Sequence, residues 1–254
     1  MFAHLHVRSH FAFLGGGSSP EKLIAAAKRH NFRYLGITDA NGVYGAVRFL
    51  KVCKEEGIRG IVGSEITVEG YPIVLLAQTN DGYACLCDLL TRAHQASREH
   101  PSISLEDMVG NTDLICLSGG RKSVLYRTMR NKKRAVAQRW LTRLAAVFPG
   151  KLYVELVNNI SFGDRDMVNA LYRLAKDMEL PVVATNDVRY ADPTDYIRYD
   201  LLTCIRLGIK IHEPHAERPT NAEAYIKNEA QLFRLMPYRE AFDNSIRIAE
   251  SCNV

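Results

Sequence analysis

The sequence predicts an α/β fold built from repeating strand and helix units. Short apolar, partly β-branched runs recur at Tyr34 to Thr38, Leu114 to Leu117, Leu152 to Val157 and Pro181 to Thr185. Stretches with apolar residues at helical spacing lie between them. Strand, helix, strand at this interval favours a parallel sheet, open or closed into a barrel. No internal repeat or low-complexity linker interrupts the pattern, and 254 residues suffice for one well-buried domain.

The first strand is expected at Ala3-His4-Leu5-His6-Val7. Residues at i and i+2 of a strand share a face, so His4 and His6 are expected to point the same way, with Leu5 opposite. Together they could hold one metal ion, although edge or surface histidines read the same way.

Ser19-Pro20 marks a helix start, since the serine hydroxyl accepts an orphan N–H and proline has none to satisfy. That helix runs from Pro20 to His30. Tyr34 to Thr38 is a strand, ended by the turn residues Asp39-Ala40-Asn41-Gly42. A helix from about Val43 to Glu56 follows, and Gly57 closes it.

Gly60 to Val68 is a strand that carries a lone carboxylate, Glu65, in an apolar run. Such a charge is costly unless it is paired or coordinated. Tyr71 to Ala77 gives a further strand, and Asp81 to Ser97 a helix with His94 beside its apolar stripe. Helices are expected over Val124 to Phe148, in two pieces, and over Asp164 to Met178. Tyr196 to Val254 reads as helical apart from a loop at 212–219.

At 47% apolar and 24% charged residues the chain is not disordered. No apolar run reaches transmembrane length and no secretion signal opens the chain, so a cytoplasmic location and no membrane partner are expected. The six cysteines show no Cys-x-x-Cys spacing and read as reduced, mostly buried thiols. Much of the formal charge of +5 lies between Arg121 and Arg143. That run reads first as a solvated helix face and second as a surface for nucleic acid or an acidic partner.

In parallel α/β folds, functional side chains collect at the carboxyl ends of strands. Here those positions give His4, His6, Asp39, Glu65, Ser118, Glu155, Asn186, Asp187 and Arg189. Imidazoles with carboxylates suit Zn²⁺, Mn²⁺ or Fe²⁺ and hydrolysis by a metal-bound water. The same residues also read as turn caps and buried ion pairs.

The ordered motifs His4-Leu5-His6-Val7-Arg8-Ser9, Ile37-Thr38-Asp39, Val43 to Phe49, Gly63-Ser64-Glu65, Thr91-Arg92-Ala93-His94, Leu117-Ser118-Gly119 and Val183 to Tyr190 resemble the polymerase and histidinol phosphatase (PHP) domain. More narrowly, the chain resembles the N-terminal PHP domain of bacterial C-family DNA polymerases. Ser18 to Glu21 and His215 to Ala222 are similar to the error-prone branch.

The resemblance implies a distorted seven-stranded (βα)7 barrel, with a core over 1–195 and a mostly helical C-terminal part over 196–254 that leads toward a polymerase palm absent here. It also implies metal ligands at His4, His6, Glu65, His94 and Asp187. Family ligand positions fall at Gly15, Ala40, Gly120 and Arg189, which cannot serve. No residue is assigned as catalytic. The cofactor expectation is one Zn²⁺ or Mn²⁺, or none, and Arg189 and Arg121 are candidates for holding a phosphate.

The function implied is a mainly structural PHP domain of an error-prone DNA polymerase, in a nucleotidyltransferase family but with no phosphoesterase activity of its own expected. Its implied partners are the polymerase thumb and palm, in cis or as a separate chain, with DNA contacted indirectly, and other replication or mutagenesis proteins. A free-standing metal-dependent phosphoesterase or 3′-5′ exonuclease is the alternative.

Overall fold

The computed structural model describes residues 1–110 and 112–254. Among them six strands, β1 (Tyr34–Ala40), β2 (Arg59–Val68), β3 (Tyr71–Ala77), β4 (Leu114–Leu117), β5 (Leu152–Val157) and β6 (Val182–Thr185), form one curled sheet in sequence order. The expected seventh strand is missing from that count.

The sheet is also mixed. β1 and β2 are parallel, as are β4, β5 and β6, but β3 runs antiparallel to both of its neighbours. The reversal follows from a two-residue turn, Glu69-Gly70, with φ of 50° and 82°. Left-handed backbone at both positions matches the twist of a hairpin. Glu-Gly is a weaker hairpin signal than Asn-Gly, so the pattern of strands alone does not disclose it.

The segment expected as the first strand makes only single parallel bridges, His4 to Leu35 of β1 and Val7 to Val188 beyond β6. Its hydrogen bonds show why. Gly36 N–H donates to the His4 carbonyl and Thr38 N–H to the Val7 carbonyl, both at 2.7 Å. Two residues of β1 therefore oppose three of the first segment. One extra residue makes a bulge, and alternation of side chains is lost across it.

The helices are α1 (Pro20–Arg29), α2 (Ala46–Glu56), α3 (Asn80–Ala96), α4 (Val124–Arg130), α5 (Arg134–Val147), α6 (Asp164–Asp177), α7 (Tyr196–Leu207), α8 (Glu229–Leu235) and α9 (Arg239–Ser251). Ser19 caps α1 and Gly57, at φ 71°, ends α2. α2 starts three residues later than its apolar spacing predicts, because Ala46 N–H closes a turn onto the Val43 carbonyl. The C-terminal part is less helical than expected. Its irregular stretch, 208–228, is held by side chains: the Asn186 amide donates to the carbonyls of Glu223 (3.0 Å) and Tyr225 (2.7 Å), and Arg218 makes a two-pronged pair with Asp200.

Two apolar layers result. The larger lies between the sheet and its helices. The smaller lines the concave face, with Tyr34, Ile61, Val74, Leu76, Ile115, Leu117 and Val183 meeting Ala3 and Leu5. Ile248, Ala249 and Cys252 of the C-terminal helix region complete this inner layer. Continuing the same alternation along β2, β5 and β6 places Glu65, Glu155 and Asp187 on the inner face at the strands' carboxyl ends. No helix among the described residues is long and apolar enough to cross a membrane, and all six cysteines are free.

Candidate metal centre

His6, Glu65 and Asp187 are the one group of three metal-ligating side chains whose donor atoms converge among the described residues, all within 4.8 Å of one another. All three are buried. His6 reaches the group because the bulge turns it to the inner side together with Leu5. Its Nδ1 donates to Glu155 at 2.7 Å and its Nε2 to Glu65 at 2.9 Å, with Asp187 Oδ1 3.2 Å away.

Burial opposes a charge on His6, but Glu155 and Asp187, with the hydrogen bonds from Glu155 and Glu65, outweigh it and push its pKa up to about 10. The ring is an imidazolium with two donors. Asp187 sits at φ 43°, a conformation that Asp tolerates better than most residues. Backbone held this way often marks a functional site.

Two arginines close the cluster. Arg8 donates to Glu65, and Arg189 pairs with Asp187 at 2.5 to 2.7 Å and reaches to 3.9 Å from Glu65. Burial would raise the Glu65 and Asp187 carboxyls; Arg8 for the first and Arg189 for the second, aided by His6, lower both instead, Glu65 the more strongly. Glu155 is further tied by the Thr185 hydroxyl. Three carboxyl groups thus face two guanidiniums and one imidazolium, and positive charge is already matched to negative.

His4 does not join this group. Its Nε2 donates to the Lys227 carbonyl at 2.8 Å, and its ring stands edge-on to Phe2 and Phe32, with centroids 4.9 and 5.2 Å away. Burial pulls its pKa down to about 4. The expectation that His4 and His6 share a face fails at the bulge. His94 is also elsewhere, its Nε2 donating to the Asn41 carbonyl at 2.8 Å.

The PHP domain family profile matches residues 4–159. The chain belongs to the PHP domain family. It is 38% identical over 99% of its length to an error-prone DNA polymerase of Symbiobacterium thermophilum, and 30% identical over its whole length to DNA polymerase III subunit alpha of Treponema pallidum. It spans 25% and 23% of those polymerases, about a quarter of the curated relatives it matches, and is homologous to their N-terminal regions. Among solved structures it resembles an amidohydrolase from Chromobacterium violaceum, with a TM-score of 0.53 at 17% identity over 75% of this chain and 88% of that one. That likeness concerns the fold.

Of the four positions singled out by the resemblance, Gly15, Gly120 and Arg189 lie next to the cluster. A side chain built on Gly120 would begin 3.3 Å from Asp187 Oδ2, and one on Gly15 would begin 3.3 Å from Arg8 Nη1. Arg189 is the ion-pair partner of Asp187 itself. The fourth, Ala40, pairs in register with Glu65.

Arg121 and Arg189 line one cleft of about 300 Å³ with Lys122, Ser161 and Thr220. Arg121 is already engaged there by Asp164. In the sequence Arg8 stands out only as part of the motif at 4–9, and Glu155 only as a carboxylate at a strand end. The signal for both was a buried carboxylate in need of a partner.

Proposed function

We propose that this chain is the N-terminal PHP domain of an error-prone, C-family DNA polymerase, and that its own cleft is degenerate and mainly structural. The observation that carries the reading is the pairing of Arg8 with Glu65 and of Arg189 with Asp187, in a cleft whose positions 15, 40 and 120 offer no donor. Phosphoester hydrolysis by several ions needs one to make the nucleophile and others to neutralise the phosphate and leaving oxygen. The donor chemistry of His6, Glu65 and Asp187 fits one divalent ion, Zn²⁺ or Mn²⁺. Holding it requires His6 to give up its proton and both guanidiniums to turn aside.

On this reading 1–195 and 196–254 work as one PHP domain, and DNA synthesis in a translesion or repair setting belongs to a polymerase thumb and palm in cis or on a separate chain. DNA and other replication or mutagenesis proteins are met through that part. The cytoplasm is where such synthesis takes place in bacteria.

The competing reading is a phosphoesterase or 3′-5′ exonuclease. Convergence of His6, Glu65 and Asp187 favours it, with Arg189 and Arg121 as phosphate holders. Elemental analysis after dialysis, paired with a primer-trimming assay in Mn²⁺, separates the two. The expected result is no more than one ion per chain and no trimming that depends on Asp187. Three ions per chain, or trimming abolished by Asp187→Asn, overturns the structural reading.

A further inference from the structure

Helix α7 is turned inside out. The residues it buries are Asp200, Thr203 and Cys204, whereas Ile197, Leu201 and Ile205 are 70%, 46% and 57% exposed. Spacing of four places these three on one stripe along the helix. Ile211, 53% exposed, follows just beyond its end.

Polar contacts join the inner side to the segment that follows, Asp200 with Arg218 and the Tyr196 hydroxyl donating to the Pro219 carbonyl at 3.0 Å, while the buried Thr203 hydroxyl turns back to the Tyr199 carbonyl of the same helix. A helix attached by its polar side leaves its apolar side for something else, since a stripe of branched residues in water is a recurrent mark of an interface.

The size of the stripe decides between occupants. A twelve-residue helix is about 18 Å long and 10 Å across, a footprint of roughly 200 Å², against about 800 Å² per partner in a stable complex of separate proteins. A second copy therefore lacks the area.

A partner tethered in the same polypeptide needs far less area, because the tether supplies an effective concentration on the order of millimolar. The relatives supply such a tether, since the matched region is only a quarter of each polymerase chain.

We infer that the outer face of α7 seats an apolar ridge contributed by the polymerase portion of the longer polypeptide. The inference rests on the polymerase reading above and deepens it by assigning the surface. Arg198 and Arg206 beside the stripe are paired within the chain, with Asp195 and Glu217 at 3.1 Å each, so the stripe itself is what remains for a partner.

The test places this chain in front of the remaining three quarters of the Symbiobacterium thermophilum polymerase, in place of that protein's own matching region, and follows amide hydrogen exchange in α7. Three forms are compared: the 254-residue chain alone, the joined polypeptide, and the joined polypeptide carrying Leu201→Glu and Ile205→Glu. The same remainder, added as a separate chain at about 1 mM to match the concentration a tether supplies, gives a second format that does not depend on folding of the joined protein.

α7 amides are expected to exchange at least about tenfold more slowly in the joined form, and to return to free-chain rates in the double variant. The free chain with both substitutions should melt as the parent does, since both side chains are exposed. Equal exchange with and without the remainder, in both formats, overturns the inference. So does a dimer of the free chain that the double substitution abolishes, which would give the face to a second copy. Metal content at His6, Glu65 and Asp187 is measured separately, so failure of the degenerate-cleft reading leaves a distinct trace.

Discussion

His4 and His6 are two residues apart, both fully buried, and opposite in every physical respect. His4 lies among Phe2, Phe32 and a single carbonyl, and its Nδ1 has no partner. His6 lies among three carboxyl groups and donates from both nitrogens. The same side chain is kept neutral at one site and charged at the other. What separates them is one extra residue opposite β1, which sends the two rings to different layers. Environment, set by backbone register, determines whether a histidine is filler or part of an ion cluster.

The largest test of this contrast is replacement by leucine. His6→Leu leaves buried carboxyl groups without their shared cation, and breaking such a pair typically costs about 3–5 kcal/mol. His4→Leu removes one hydrogen bond but also an unpartnered buried nitrogen, so a change within about 1 kcal/mol is expected. Urea unfolding of the metal-free protein measures both. Equal losses would mean that the two sites do not differ as described.

Next in size is the pH dependence, where the two histidines act in opposite windows. The His4 pKa falls to about 4 in the folded chain, so its contribution is complete above the unfolded value of 6.5 and is lost as pH falls through about 4. A displacement of that order corresponds to roughly 3 kcal/mol. His6 is raised to about 10, so its contribution is complete below 6.5 and is lost as pH rises through about 10. His4→Leu should therefore flatten the acid limb between pH 6.5 and 4 and leave the alkaline limb as in the parent. A His4→Leu profile parallel to the parent on the acid side would show that His4 titrates normally.

Much of the fold was legible because periodicity is a local property. Ser19-Pro20, Gly57 and the apolar runs of β1 to β6 announce themselves within a few residues. The strand-end rule likewise points to His6, Glu65, Glu155 and Asp187, although it also includes His4, which lies outside the cluster. Register was not legible. Whether two residues of β1 face two or three of the first segment depends on hydrogen bonds between chain positions some thirty residues apart. The loss of alternation at the bulge removed His4 from the cluster. Arg8 entered the site by the same long-range route, since its partner Glu65 is 57 positions away. The irregular stretch 208–228 is wider than the expected loop at 212–219 because side chains of Asn186 and Asp200, rather than its own sequence pattern, hold it.

The smallest expected effect belongs to the basic run, which lies at the opposite extreme from the ion cluster. Arg134 pairs with Asp177, and Arg143 with Glu69 and Glu106, all exposed, where such pairs contribute about 1 kcal/mol or less. Lys132 and Lys133 make no ion pair among the described residues. Lys132→Ala with Lys133→Ala should thus shift unfolding by no more than about 0.5 kcal/mol per site. If these lysines instead contact DNA phosphates, affinity must fall steeply with salt, by about 0.9 in log–log slope per phosphate contact. The double substitution would then lower that slope by nearly two. An affinity indifferent to salt, or a slope the substitutions leave unchanged, identifies the run as a solvated helix face and leaves the inner cluster as the place where charge matters to this domain.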